Sequence, residues 1–452
     1  MRAYYVAIVG SGPSAFFAAA ALLRAADSSA DFDVMVDMLE MLPTPGGLVR
    51  SGVAPDHPKI KSVSNQFDKT AADPRYRFFG NIRVGEHIAA GELAERYDAV
   101  IYAVGAQADR ALNIPGEELP GSIAAVDFVG WYNAHPDFAQ LVPDLSGARA
   151  VVVGNGNVAL DVARILVTDP EVLALTDIAD HALESLRPCG VQEVLIIGRR
   201  GPLQAAFTTV ELRELGNLDQ VDVVIDPAEL AGITDDEAAA VGKIAKQNIK
   251  VLRDYAGRQP RPGYRRIVFR FMTSPIEIQG EEKVERIVLG RNELVCDQSG
   301  RMVATDTGVR EELSAQLVVR AVGYRGIPIA GLPFDAKTAT IPNTHGRIAG
   351  SRNEYVVGWI KRGPTGVIGT NKKDAQDTVD ALLADVADSA PAGFGQDHAD
   401  RLADWLRSRQ PELVTGAHWQ LIDDYERAAG EPHGRPRVKL AALEELLRIA
   451  HG

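Results

Sequence analysis

At 452 residues the chain is long enough for two or three domains of about 150 residues each. Its composition, 46% hydrophobic and 24% charged with 42 glycines, excludes disorder, collagen and coiled coil. Forty-eight basic against 61 acidic residues leave a net charge of −13, which argues against sequence-independent nucleic-acid binding, since that depends on neutralising phosphates. The two cysteines, Cys189 and Cys296, form no Cys-x-x-Cys pair. A disulfide framework and a zinc knuckle are therefore both excluded, and the cytoplasm is the expected compartment.

The apolar N-terminus from Tyr4 to Leu23 is interrupted by Gly10-Ser11-Gly12-Pro13-Ser14, which argues against a signal peptide. No apolar stretch reaches the roughly 18 residues of a membrane helix, so membrane insertion is not expected. The run Tyr4-Tyr5-Val6-Ala7-Ile8-Val9 followed by the Ala-rich segment Ala15 to Ala26 reads as strand, tight turn and helix. Asp33 to Glu40 supplies the next strand and closes a βαβ unit. Asp98 to Gly105 is a further buried strand ending in glycine.

The same grammar returns at Ala148 to Val153, with a glycine turn, a helix from Val158 to about Val167 and a strand at Val194 to Ile197. Leu317 to Gly323 closely resembles Asp98 to Gly105, and a proline follows each, at Pro115 and Pro328. Such matched exits suggest crossings between one domain and another inserted in it. The expected division is 1–106, 107–323 and 324–452, the first and third forming one discontinuous domain. That domain resumes with the run Tyr355 to Ile360 and ends in a helical region. Residues 387–395 read as a surface loop, and Val438 to Ala450 as a short amphipathic helix.

Gly10-Ser11-Gly12-Pro13-Ser14-Ala15 and Gly154-Asn155-Gly156-Asn157-Val158-Ala159 are both G-x-G-x-x-A. The first glycine permits the tight turn, the second lets backbone amides approach a pyrophosphate, and the small third residue allows close helix packing. The fold class is thus α/β with two Rossmann-like dinucleotide-binding domains, one inserted into the other. After the first loop the following strand ends at Glu40, whose carboxylate accepts ribose hydroxyls and repels a 2′-phosphate. After the second it ends Gly198-Arg199-Arg200, where two guanidiniums suit a 2′-phosphate. The first site suits FAD or NAD and the second NADP, a pairing whose chemistry is hydride transfer between nicotinamide and flavin. Without a Cys-x-x-Cys pair, electrons have no dithiol relay, and both cysteines read as filler.

Leu42-Pro43-Thr44-Pro45-Gly46-Gly47-Leu48-Val49-Arg50, Gly52 to His57, Gly154 to Asp161, Gly198 to Pro202 and Gly358 to Asn371 are longer and more specific. In them the chain resembles the adrenodoxin reductase family of NADPH-ferredoxin reductases, most closely its mycobacterial members, over essentially its whole length. The resemblance implies FAD in the discontinuous domain and NADPH in the inserted one. It places Ser14, Glu40, Leu48 and Val84 around FAD, with Trp359, Gly366, Val367 and Ile368 at the isoalloxazine end. For NADPH it implies Arg110, Asn155, Gly156, Asn157, Val158, Arg199, Arg200 and Glu211, with Gly366 shared. Two departures stand out: the family generally has an aromatic residue at Gly46, and many members have glycine at Ala15.

Residues 363–372 lack the G-x-x-x-x-G-K-[ST] spacing, so ATP hydrolysis is rejected; a glycine turn there opens a helix whose positive end faces the flavin ring. Taken alone, His57 in Asp56-His57-Pro58 is a turn histidine, but the resemblance pairs it with Glu214 beside the reacting rings, as the catalytic pair that orients nicotinamide. A flavin takes two electrons as hydride and gives them up singly, which suits a one-electron iron–sulfur acceptor, here an acidic ferredoxin. Between Lys250 and Arg270 stand Lys250, Arg253, Arg258, Arg261, Arg265, Arg266 and Arg270 against one acid, Asp254, a candidate basic docking face. Solubilising charge on an exposed strand and loop explains the same residues. Two other functions use the same scaffold. One is an NADPH diaphorase, quinone reductase or flavin monooxygenase; the other is a nonenzymatic nucleotide-binding module.

Overall fold

The computed structural model describes residues 2–30, 32–298, 300–366, 368–387 and 397–452. Two compact units emerge, one of residues 1–108 with 324–452 and one of residues 109–323.

In the discontinuous unit the strands Glu354–Val356, Ala99–Tyr102, Arg2–Val9, Phe32–Leu39 and Tyr76–Gly80 lie side by side and parallel. Short antiparallel strands close both edges, Arg347–Ile348 and Asn343–Thr344 on one side and Val414–Thr415 on the other. Both faces are covered. Along the first strand Val6 and Ile8 point into a core shared with helix Pro13–Asp27, while Tyr5, Ala7 and Val9 point into a second core on the opposite face. This alternation is the period-two rule of strands, and burial of both faces explains why these strands read as continuous apolar runs. Helix Ile368–Ala387 lies against helix Pro13–Asp27.

The inserted unit has six parallel strands in the order Ser122–Ala124, Leu317–Arg320, Arg149–Val153, Glu193–Ile197, Arg265–Arg270 and Val221–Ile225. A second, antiparallel sheet of Thr273–Gln279, Arg286–Cys296 and Met302–Ser314 is a feature the sequence reading passes over.

Two apolar runs fold less simply than their sequence suggests. The run Tyr355 to Ile360 divides between strand Glu354–Val356 and a short helix, Trp359–Arg362, with Gly358 at φ +76° turning the chain between them. The C-terminal helix runs Leu443–His451, five residues later than expected. The Val438 and Leu440 amides instead donate to the Glu426 carbonyl and carboxylate, and those bonds hold the chain out of helical geometry. Residues 388–395 of the expected loop lie outside the described residues, and Ala387 ends the preceding helix.

Candidate functional site

Each unit carries a glycine loop of the same build. Gly10 has φ +100°, and a Cβ there would stand 2.6 Å from the Ala103 carbonyl oxygen. Gly154 has φ +134°, and its Cβ would stand 2.2 Å from the Ala321 carbonyl oxygen. Gly10 donates its amide to Leu39 O at 2.7 Å and Gly154 its amide to Ile197 O at 2.9 Å. The loops are therefore clamped between neighbouring strands, where no other residue type fits.

The second glycine behaves in the opposite way. A Cβ at Gly12 or at Gly156 meets nothing within 4 Å. Both residues are extended N-caps, of helices Pro13–Asp27 and Asn157–Val167, and no side chain caps either helix. Asn157, at the first helical position, turns its Oδ1 to accept the Thr208 amide at 2.8 Å instead. Each loop thus presents a helix N-terminus with open space beside its glycine, the geometry that takes a pyrophosphate on backbone amides. Ala15 and Ala159 are fully buried at the third position.

The strand ends differ. Glu40 is buried, and its Oε2 accepts the Ser11 amide at 2.9 Å and the Ser11 hydroxyl at 2.5 Å, while Oε1 accepts the Leu42 amide at 3.1 Å. Burial pushes its carboxyl above the ordinary value, and the hydrogen bonds from Ser11 and Leu42 pull it partly back. Hydrogen bonds from the Ser11 hydroxyl and from backbone amides thus hold the carboxylate in a fixed orientation at the strand end. Arg199 and Arg200 are exposed, and neither has an ion-pair partner among the described residues. Their carbonyls accept Asn292 Nδ2 at 2.9 Å and the Met272 amide at 3.1 Å. The backbone is thus anchored to the antiparallel sheet while both guanidiniums stay available. Gly198 leaves room for the Asn155 side chain, which a Cβ would approach to 2.7 Å.

The other expected FAD residues gather around the first loop. Gly47, at φ +50°, lies so close that its Cβ would stand 2.9 Å from Gly12 Cα, and the Gly46 amide donates to Ser11 O at 3.1 Å and Ser11 Oγ at 3.2 Å. Gly46 itself has φ +110°, a backbone that L side chains rarely adopt. Half-buried Leu48 opens the short helix Leu48–Ser51 beyond them. Ser14 meets Gly358, whose Cβ would lie 2.3 Å from Ser14 Oγ. Trp359 follows and stacks on Tyr324 at 5.6 Å between ring centroids. Gly366, at φ +84°, lies just before helix Ile368–Ala387; Val367 is outside the described residues. Val84 is half-buried and packs against the second core, which also holds Val9.

In the inserted unit the Arg110 amide donates to Gly323 O at 3.1 Å and its side chain is exposed. Glu211 is buried on helix Thr209–Leu215, with Oε2 3.9 Å from Nη1 of Arg164, which also pairs with Asp161 at 2.8 Å. His57 caps a short helix, Pro58–Lys61, in the discontinuous unit, and Glu214 lies half-buried in the inserted one.

Sequence reading misses the supports. Ser11 stands at a variable position of the first loop, and Asp374 and Glu426 belong to no motif. Asp374 accepts the Gly358 amide at 2.6 Å and pairs with Lys361 at 2.9 Å, fixing the turn that carries Trp359. The expected basic face is also thinner than its sequence. Arg253 pairs with Asp235 at 2.5 Å, Arg261 with Asp222 at 2.7 Å and Arg270 with Glu311 at 2.5 Å, because acids remote in sequence fold onto it. Both cysteines are free, Cys189 buried and Cys296 exposed, and burial pushes the Cys189 thiol up. No helix among the described residues is long and apolar enough to cross a membrane.

The model of the family described as pyridine nucleotide-disulphide oxidoreductase matches residues 4–208. The chain is 77% identical over 456 residues to the NADPH-ferredoxin reductase FprA of Mycobacterium tuberculosis, covering 100% of both. It is 39% identical over 472 residues to the mitochondrial NADPH:adrenodoxin oxidoreductase of Arabidopsis thaliana, covering 99% of this chain and 96% of that one. A solved structure of Mycobacterium tuberculosis FprA in complex with NADPH matches with a TM-score of 0.98 at 77% identity, covering 100% of each chain.

Proposed function

We infer that this chain, which belongs to the NADPH-ferredoxin reductase family, is an oxidoreductase that carries electrons from NADPH through FAD to a ferredoxin. The observation that carries this reading is the pair of open, uncapped helix N-termini followed by opposite strand ends, a buried carboxylate in one unit and two unpaired arginines in the other. FAD, when bound, accepts two electrons as hydride and passes them on singly, as a one-electron iron–sulfur acceptor requires.

The proposed FAD site is in the discontinuous unit. There the amides beyond Gly12 take the pyrophosphate, Glu40 the ribose, and Ser14, Leu48, Val84, Trp359, Gly366 and Ile368 contact the rest. The proposed NADPH site is in the inserted unit, where Asn155, Gly156, Asn157 and Val158 cradle the pyrophosphate and Arg199 and Arg200 grip the 2′-phosphate. Arg110 and Glu211 complete that site. Hydride transfer demands positioning more than proton transfer, so no obligatory general base is assigned. His57 and Glu214 are proposed to orient the nicotinamide and tune charge at the flavin. The two free thiols supply no dithiol relay and fit a cytoplasmic compartment.

Anaerobic stopped-flow reduction by NADPH and by NADH, followed by mixing with ferredoxin or a quinone, tests the reading. Flavin bleaching by NADPH in strong preference to NADH, then rapid reoxidation by ferredoxin, is the expected result. Equal efficiency of the two nicotinamides, or quinone turnover with inert ferredoxin, would overturn it.

An acidic ferredoxin is proposed to dock near Lys250, Arg258, Arg265 and Arg266, which keep no ion-pair partner among the described residues. Charge reversal by Lys250→Glu with Arg266→Glu is expected to lower kcat/KM for ferredoxin roughly fivefold at low salt, less at high salt, because steering is screened. A rate indifferent to both changes would remove this face from consideration.

A further inference from the structure

We propose that the C-terminal segment 416–440 clamps the loop that carries Leu48, and that Glu426 is the positioning residue of this clamp, setting how tightly the enzyme holds FAD. The proposal rests on the FAD reading of the discontinuous unit given above.

The loop is held from two sides. On the inner side Gly46 and Gly47 lie against Ser11 and Gly12 of the glycine loop. On the outer side Val49 and Arg50 of the short helix Leu48–Ser51 are engaged by residues some 370–390 positions away. The Val49 side chain enters the core that holds Ile422 and Leu440. The Arg50 guanidinium makes a two-pronged pair with Glu426, Nη1 to Oε2 at 2.9 Å and Nη2 to Oε1 at 2.5 Å. The Arg50 carbonyl accepts Lys439 Nζ at 2.9 Å, and Trp419 lies under the guanidinium at 5.5 Å.

Glu426 is the hub. Its side chain is fully excluded from solvent, and besides Arg50 it accepts Arg437 Nη1 at 3.1 Å and the Leu440 amide at 2.9 Å. Asp423 shares Arg437 at 2.6 Å and pairs with Arg427 at 2.5 Å. A four-residue helix has no cooperative stability of its own, so its position follows whatever it is bonded to. A buried carboxylate with four donors is worth keeping only where its loss is costly, because removing one partner strands the others in a dry interior. The Arg50 bond therefore fixes where Leu48 stands relative to Gly12, and that position decides whether the flavin is enclosed.

The test follows flavin release from the purified holoenzyme. The rise of free-flavin fluorescence after dilution gives the dissociation rate, and far-UV circular dichroism on the same samples reports the fold. Glu426→Gln is expected to release FAD at least about tenfold faster than the unsubstituted enzyme, a change of about 1.4 kcal/mol. Lys439→Met, which removes the bond to the Arg50 carbonyl and none of the donors to Glu426, is expected to do so roughly threefold faster. In both, the flavin leaves before helical signal is lost. Release rates equal to the unsubstituted enzyme, or flavin release that merely tracks unfolding, would overturn the clamp. Should Glu426→Gln fail to fold, Lys439→Met decides by the same readout. An unsubstituted enzyme that purifies without flavin would instead sink the FAD reading, and the clamp with it.

Discussion

The two glycine loops share one backbone solution and diverge at one strand end. In both units the first glycine is wedged against the carbonyl of the residue that follows a neighbouring strand, Ala103 or Ala321, and the second faces open space. Those features answer to sterics, which are the same whatever nucleotide is bound. The strand end answers to charge: a buried Glu40 tied back to Ser11 in one unit, exposed Arg199 and Arg200 in the other. The comparison separates what makes a dinucleotide fold from what chooses the dinucleotide.

The largest effect should come from breaking the shared part. Gly10→Ala and Gly154→Ala each force a Cβ into a backbone carbonyl from a strained φ, and should destabilise the affected unit by about 3 kcal/mol or more. Gly12→Ala and Gly156→Ala meet no protein atom. They should leave unfolding in the absence of nucleotide within about 0.5 kcal/mol of the parent, yet cost cofactor affinity. Thermal unfolding of all four variants, with and without FAD or NADPH, checks this. Equal destabilisation by first-glycine and second-glycine variants would erase the distinction.

Breaking the divergent part should be gentler on the fold and sharper on specificity. Each charge-assisted hydrogen bond to a phosphate is worth about 1.5–3 kcal/mol. The double variant Arg199→Ala with Arg200→Ala should therefore lower the ratio of kcat/KM for NADPH to that for NADH by about a hundredfold or more. Turnover with NADH should hardly move, and stability should stay put because both side chains are exposed and unpaired. A preserved NADPH preference would mean that the 2′-phosphate is read elsewhere.

What the sequence shows clearly is what depends on neighbours within about thirty residues. Glycine spacing, the apolar strands on either side and the residues at Glu40 and Arg199 are all local, and each has a steric or charge meaning by itself. What stays hidden depends on distant partners. Nothing near Arg261 announces that Asp222 will neutralise it, so the basic stretch looks stronger in sequence than in the fold. Nothing near Val438 announces that Glu426 will take the Leu440 amide, so apolar spacing suggests helix where the chain is not helical. Ser11 is legible as a loop residue but not as the donor that turns Glu40 inward. The antiparallel sheet escapes notice because its pairing, Arg286 with Ser314 and Thr273 with Arg291, is set by packing rather than by a motif.

The smallest effect sharpens the comparison most, because it asks whether Glu40 serves the fold or the ligand. Burial raises its folded pKa above the unfolded value, so the protonated form is the one the fold prefers. Any stability from that preference is present below the unfolded pKa and is lost as pH rises through the folded one. In its ionised form Glu40 is thus a cost to the apo unit, and Glu40→Gln removes the charge with little change of shape. The flavin-free variant should melt no lower than the parent at pH 8, and its melting temperature should fall less between pH 5 and pH 8. FAD affinity should fall by about tenfold, a loss of one charge-assisted bond to ribose. A variant that melts well below the parent at pH 8 would make Glu40 a structural brace for Ser11. The strand end would then cease to be the place where the two units differ in purpose.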